Sequence, residues 1–243
     1  MESIAESMRF VHVVFGAVGL AAFWVPVFAK KGAKVHILFG KIFTRSAYVV
    51  LAAAALALLL RFVDLQQRNI GVSDNPMMYS FIVFLGYLTY VTYVIVRHGM
   101  AVLQHKGKPH ELATPIGRGL AIGSIVASML VILFAITVQP ANQIVLYALS
   151  PIGFGTGSGM LRYMRGGEPS SRGWMYEHLG SMLGAGIAFH TAFAVFGAAR
   201  LFDIGLTGWV AVIPWVLPAA VGIPATVLWT RHYRKKFGEL QNA

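Results

Sequence analysis

Cysteine is absent from the 243 residues. That excludes disulfides, iron–sulfur clusters, thiolate zinc sites, Cys-attached haem and a cysteine nucleophile, so any redox chemistry must use histidine, methionine or a bound cofactor. Charge is scarce as well. Asp, Glu, Lys and Arg make up 12% of the chain, against about 25% in a soluble domain. Acids are scarcest, nine against twenty Lys and Arg, and no Asp-rich motif offers Mg²⁺ to a prenyl or phosphoryl transferase. The near absence of Asp and Glu inside apolar stretches also argues against a carboxylate-relay proton pump. With so much of the chain apolar there is no room for a separate soluble catalytic domain, which needs about 50 residues. Function must reside in the membrane part or its short loops.

What is abundant is apolar surface, 57% of all residues, gathered in blocks that suit a bilayer crossing of roughly 20 helical residues. Seven spans are expected, approximately Phe10 to Ala29, Phe43 to Leu60, Met77 to Val96, Leu120 to Val138, Ile144 to Leu161, Trp174 to Ala199 and Trp209 to Trp229. The fold class is therefore all-α, a polytopic helix bundle forming a single transmembrane domain over residues 1–243. Two acids and no basic residue precede Arg9, the wrong charge for a signal-peptide n-region, so the first span is expected to remain a membrane helix. Asp74, Asn75 and Pro76 form a helix start, and Gln139-Pro140 closes the fourth span.

Basic residues gather at cytoplasmic span ends, and sixteen of the twenty fall on one side of the seven-span scheme. The four on the other side are Arg9, Arg61, Arg68 and Arg200. The N-terminus is thus expected outside and the C-terminus in the cytoplasm, as for a multi-pass protein of a bacterial cytoplasmic (inner) membrane. The same bias accounts for the net charge of +11 as a matter of orientation and anionic lipid headgroups, with no nucleic-acid partner required.

The fifth span carries Pro151 and then Gly153, Gly155, Gly157 and Gly159 at alternate positions. Lying in an apolar stretch rather than between a strand and a helix, this run is read as helix packing or local distortion, not as a phosphate loop. Gly119 with Gly123 and Gly180 with Gly184 are further small-residue pairs. Pro214, Pro218 and Pro224 are expected to kink the last span, which contains no lysine for a retinal Schiff base. Tyr87, Tyr90 and Tyr93, with Thr89 and Thr92, make the third span polar near its middle, either as a cavity lining or as interhelical hydrogen bonds.

The ionisable residues in or near the spans are chiefly histidines, and such groups are the first functional candidates in a membrane. His12 and His190 fall toward the outer side, while His36, His98 and His178 fall toward the inner side. His105, His110 and His232 lie in polar cytoplasmic segments and are expected to be solvated. Bis-imidazole ligation of haem b needs one histidine on each face of the porphyrin. An outer pair of His12 with His190 and an inner pair of His178 with His36 or His98 meet that requirement. His178 and His190 are separated by about 18 Å of helix, and at ~100° per residue they differ by about 120° around the axis. One haem is therefore a safer expectation than two. The competing plain reading has His12 and His190 bonding between helices and the others seated at an interface. Lys34, Lys41 and Arg45 near His36 form a basic rim for propionates, a quinone headgroup or a lipid phosphate. Glu177, the one acid close to the body of a span, either orients a histidine, accepts a proton or pairs with a residue such as Arg172.

His12-Val-Val-Phe-Gly16, followed by Lys31-Gly-Ala-Lys-Val-His36-Ile-Leu-Phe-Gly40-Lys41, resembles a bacterial family of predicted multi-span membrane proteins of unknown function. The match covers the first two helices, about a quarter of the chain. Glu177-His178 and Thr191-Ala192-Phe193 are similar to the later part of that family. The resemblance implies architecture and directs attention to His12, His36 and His178, without implying a catalytic residue. Three functional classes follow from the sequence. They are haem-b-linked electron transfer or quinone redox, a small-ligand transporter or receptor using the Gly-rich fifth and Pro-rich seventh spans, and a non-catalytic assembly or lipid-interacting protein.

Overall fold

The computed structural model describes residues 2–166, 170–198, 201–202 and 208–239. Ala199 and Arg200, at the end of the expected sixth span, lie outside the described residues. The architecture is all-α: α1 Glu2–Phe28, α2 Lys34–Gln67, α3 Pro76–Gln104, α4 Pro115–Val138, α5 Gln143–Leu149, α6 Pro151–Met164, α7 Gly173–Ala192 and α8 Ile213–Lys236. Taking α5 with α6 as one span, seven helical segments are long and apolar enough to cross a bilayer. The chain is a multi-pass membrane protein by that measure. Most helices run beyond the apolar blocks; α2 has 34 residues, because Lys34 and the segment from Arg61 to Gln67 continue the helix through polar residues.

The start signal before α3 works as the sequence implies. Asn75 Oδ1 accepts the Met78 amide at 3.0 Å, and Asp74 Oδ2 accepts the Gly71 amide at 2.7 Å. Pro76 opens the helix, where its missing N–H costs nothing. The fifth span is interrupted at Ser150, since Pro151 cannot donate to the Tyr147 carbonyl one turn back. The Ser150 hydroxyl donates to that carbonyl instead, at 3.1 Å. The Tyr87 hydroxyl then donates toward the Leu149 and Ser150 carbonyls at 3.1 and 2.9 Å, with Ser128 Oγ 3.3 Å away. Of the third-span polar stripe, Tyr87 is thus an interhelical anchor. Thr89 and Tyr93 line a small apolar cavity of about 250 Å³ with Tyr48 and Leu51.

The chain divides into two compact units, Met1–Tyr93 with Ala127–Ser150, and Val94–Val126 with Pro151–Ala243. In the first, α1 and α2 form a tight hairpin. Lys31 donates to the Pro26 and Val27 carbonyls at 2.7 and 2.8 Å, capping the end of α1. Its loop position is partly buried, and that burial lowers the lysine pKa from its ordinary 10.5. In the second unit α7 packs on α8, where a side chain at Gly222 would strike Ile187.

Exposure along α4 is inverted relative to a soluble protein. Ile122, Val126, Met129, Leu133 and Ile136 recur every three or four residues on the exposed face, with Leu130 beside them, whereas Ser124 and Ser128 are fully buried. An apolar outside with small polar residues inside is what a helix needs when lipid replaces water. The glycines of α6 divide by face in the same way. At Gly157 a Cβ would run into the Ala121 carbonyl and Ile125 of α4, whereas Gly155 and Gly159 face open space. Gly119 and Gly180 likewise meet nothing within 4 Å, so those two do not serve as packing notches. Gly157→Leu is therefore expected to destabilise the protein by about 1–3 kcal/mol through overpacking, while Gly155→Leu leaves stability unchanged or raises it. Thermal unfolding of the two purified variants in one detergent checks the contrast; equal losses would refute the assigned faces.

Candidate functional site

His12, His36, His178 and His190 share one local arrangement. In each, Nδ1 faces a backbone carbonyl: His12 to Val50 at 3.2 Å, His36 to Pro26 at 3.1 Å, His178 to Gly99 at 2.8 Å and His190 to Gly186 at 2.7 Å. A carbonyl only accepts, so Nδ1 carries the hydrogen and donates it. With Nδ1 protonated, a neutral imidazole has its lone pair on Nε2, the tautomer in which imidazoles ligate metals, and in all four the carbonyl bond fixes the ring plane. All four rings are half-buried.

The levels of these residues follow from their partners. His12 lies beside Val50, fourteen residues along α2 from His36, or about 21 Å of helix rise. His178 and His190 lie on one helix, about 18 Å apart. Within each unit the two histidines are therefore separated in depth and cannot serve the same iron. Gly16 and Gly40 stand one helical turn beyond His12 and His36, on the same faces. Neither has any atom within 4 Å of a side-chain position. Glycine inside a helix costs about 0.5–1 kcal/mol relative to alanine, and at these two positions neither a turn nor a close approach requires it. Both face open space, as Gly155 and Gly159 do on α6. Beyond His190 the helix widens into a π-helical turn over Phe193–Ala198, a distortion that recurs at functional sites.

His98 follows a different pattern, one that sequence reasoning missed. Its ring is 3% exposed, and its Nε2 lies 2.8 Å from Glu177 Oε1. Tyr163 of α6 meets the ring edge-on, with centroids 5.9 Å apart. Gly99 makes the meeting of α3 and α7 possible, because a Cβ there would sit 2.7 Å from Ser181 Cβ and 2.5 Å from Met182 Cε. Two successive residues of α3, His98 and Gly99, thereby engage two successive residues of α7, Glu177 and His178. Glu177 does orient a histidine, but on the neighbouring helix rather than beside it in sequence. With Nε2 committed to a carboxylate, His98 is not placed as His178's partner on an iron. The adjacent His-Gly pair was the available signal, readable only once α7 was known to cross α3 there.

The basic trio is displaced from the histidine it was expected to surround. Lys34, Lys41 and Arg45 recur at helical intervals that put them on one face within about 40°, and all three are exposed. His36 turns toward Pro26 of α1 instead. Arg172 pairs with Glu239 at 3.2 Å, not with Glu177. Among the described residues no three His, Asp or Glu side chains converge as ligands for a bare metal ion; haem asks for only two axial ligands.

No protein-family model matches the chain, and no curated protein or solved structure matches it either.

Glu239 closes the second unit at its basic end. Its carboxylate accepts hydrogen bonds from Tyr176 at 2.6 Å, Ser170 at 2.7 Å and Arg172 at 3.2 Å. Arg234 stacks over Tyr176 at 4.3 Å, and Arg172 over Phe237 at 4.6 Å. The Tyr176 hydroxyl, then the Ser170 and Arg172 donors, hold the carboxyl below its ordinary 4.5 against an opposing effect of burial. A carboxyl with a depressed folded pKa contributes stability above its unfolded value and loses it as pH falls through the folded value. Glu239→Gln is accordingly expected to lower Tm at pH 7, with the gap to wild type closing below about pH 4.5. A Tm difference of the same size at pH 7 and pH 3.5 would contradict this.

Proposed function

We propose that this chain is a haem-b-binding protein of a bacterial cytoplasmic membrane that transfers single electrons, in exchange with a lipid-soluble quinone. The observation that carries the reading is the pairing of an Nδ1-anchored imidazole with an open glycine one turn away, at His12 with Gly16 and again at His36 with Gly40. The donor set fits the group. His12, His36, His178 and His190 each donate an Nδ1 hydrogen to a backbone carbonyl, and these four are the candidate axial ligands. Haem b, when bound, supplies one-electron iron chemistry.

The remaining work belongs to the chain's own groups. Backbone carbonyls orient the imidazoles and raise the basicity of Nε2 by drawing on the Nδ1 hydrogen. The apolar faces of α1 and α2 exclude water, and the glycines keep room beside the rings. The His98–Glu177 hydrogen bond ties α3 to α7 in the second unit. For a transporter or receptor, the cavity beside Thr89 and Tyr93, at about 250 Å³, is smaller than the 300–1,000 Å³ usual for small-molecule pockets, and no observation ties the larger groove at Arg118 and Arg165 to passage of a solute.

Visible spectra of protein expressed with ample haem, oxidised and then dithionite-reduced, test the proposal. A Soret band that sharpens and shifts on reduction is expected. It should be lost or at least halved in His12→Ala and His190→Ala, and also in Gly16→Leu, which fills the open space without touching a packed neighbour. A colourless, monodisperse protein that takes up no haem b on titration would overturn the reading.

A further inference from the structure

A groove of about 580 Å³ in the second unit lies between the turn Pro109–Leu112, the first residues of α4 and the last of α6. Its polar lining is His110, Arg118 and Arg165, and its apolar lining includes Ile122, Leu161 and Met164. Close packing builds it. At Gly117 any side chain would strike the Leu112 carbonyl and lie 3.2 Å from Met164 Cε, so the start of α4 is pressed against both neighbouring segments. Gly166, at φ +80°, turns the chain just after Arg165, and a Cβ there would crowd the His110 ring at 3.3 Å.

The two arginines have no carboxylate partner among the described residues. Glu111, the acid of the adjoining turn, is committed to His105 at 2.9 Å and Lys108 at 3.0 Å. Two guanidiniums at one groove without a counter-charge repel each other and favour a shared anion, and arginine is suited to a phosphate because its planar donors match the oxygens. The apolar side of the groove decides which anion. Ile122 both lines the groove and begins the exposed stripe that continues through Val126, Met129 and Leu133 along α4. A ligand held by its phosphate at Arg118 and Arg165 therefore has a continuous apolar track for a hydrocarbon chain leading away from it.

We infer that this groove is a binding site for an anionic glycerophospholipid, with its phosphodiester between Arg118 and Arg165 and an acyl chain laid along Ile122 and Leu161. Basic pockets between membrane helices at the headgroup level recognise anionic lipids by this combination. The site does not depend on the haem reading, since none of the four histidines lines it.

Native mass spectrometry of the full chain in detergent, titrated separately with phosphatidylglycerol and phosphatidylcholine, tests the inference. Wild type is expected to retain phosphatidylglycerol adducts preferentially. Arg118→Gln/Arg165→Gln should cut them about ten-fold, to the phosphatidylcholine level, whereas Arg231→Gln/Lys235→Gln, with the same loss of charge on α8, should retain them. Both groove arginines are exposed, so their loss leaves the fold intact, which circular dichroism checks. Ile122→Asn, which spares both cations, should also weaken the lipid adducts. Unchanged adducts in the double groove variant, or equal losses in the α8 control, would overturn the site. Displacement of the lipid by an equal concentration of glycerol phosphate would overturn the lipid in favour of a soluble phosphate ligand.

Discussion

No water is available in the hydrocarbon core of a bilayer to accept a polar hydrogen, so each N–H and O–H placed there must find an acceptor within the protein. Backbone carbonyls are the most plentiful acceptors in an all-helical chain, and this protein uses them repeatedly. The Tyr87 hydroxyl reaches the carbonyls beside the Pro151 break, and the Ser150 hydroxyl reaches the one that Pro151 leaves without a donor. Lys31 and His36 both donate to Pro26 at the end of α1. The same requirement gives His12, His178 and His190 their anchors. A solution to a solvation problem thereby sets a tautomer.

The constraint also shapes how the helices approach one another. Lipid provides no hydrophobic drive between helices, so contact depends on packing, and small residues allow it. Gly157 against Ala121, Gly99 against Ser181 and Gly222 against Ile187 are the positions where a side chain would separate two helices. Gly16 and Gly40 differ, because there the missing side chain leaves room rather than contact. This difference separates glycines that hold two helices together from glycines that do not.

Much of the architecture was legible in the sequence because the bilayer writes a strong composition signal. The seven spans, the Asn75-Pro76 start and the Gln139-Pro140 stop all follow from local chemistry. The separation of His178 from His190 follows from helix rise alone, and the attention to His12 and His36 came from placing ionisable groups on spans. The rest depended on which face each helix turns inward. Gly155 and Gly157 are chemically identical and two residues apart, yet only one is packed. Lys34, Lys41 and Arg45 are close to His36 in sequence but occupy a different face of α2. His98 and Glu177 are 79 positions apart, and the Glu239 closure joins α7 to the end of the chain, so neither leaves a local trace.

The central claim is that backbone carbonyls hold the four candidate histidines in the Nδ1–H form. Magnetic resonance of haem-free protein with ¹⁵N-labelled histidine in lipid bilayers at neutral pH tests it directly, with single His→Gln variants assigning each signal. The account predicts a protonated Nδ1 and an unprotonated Nε2 for His12, His36, His178 and His190. Finding those four rings predominantly protonated at Nε2 instead would contradict it, because the nitrogen required for ligation would then be occupied by hydrogen.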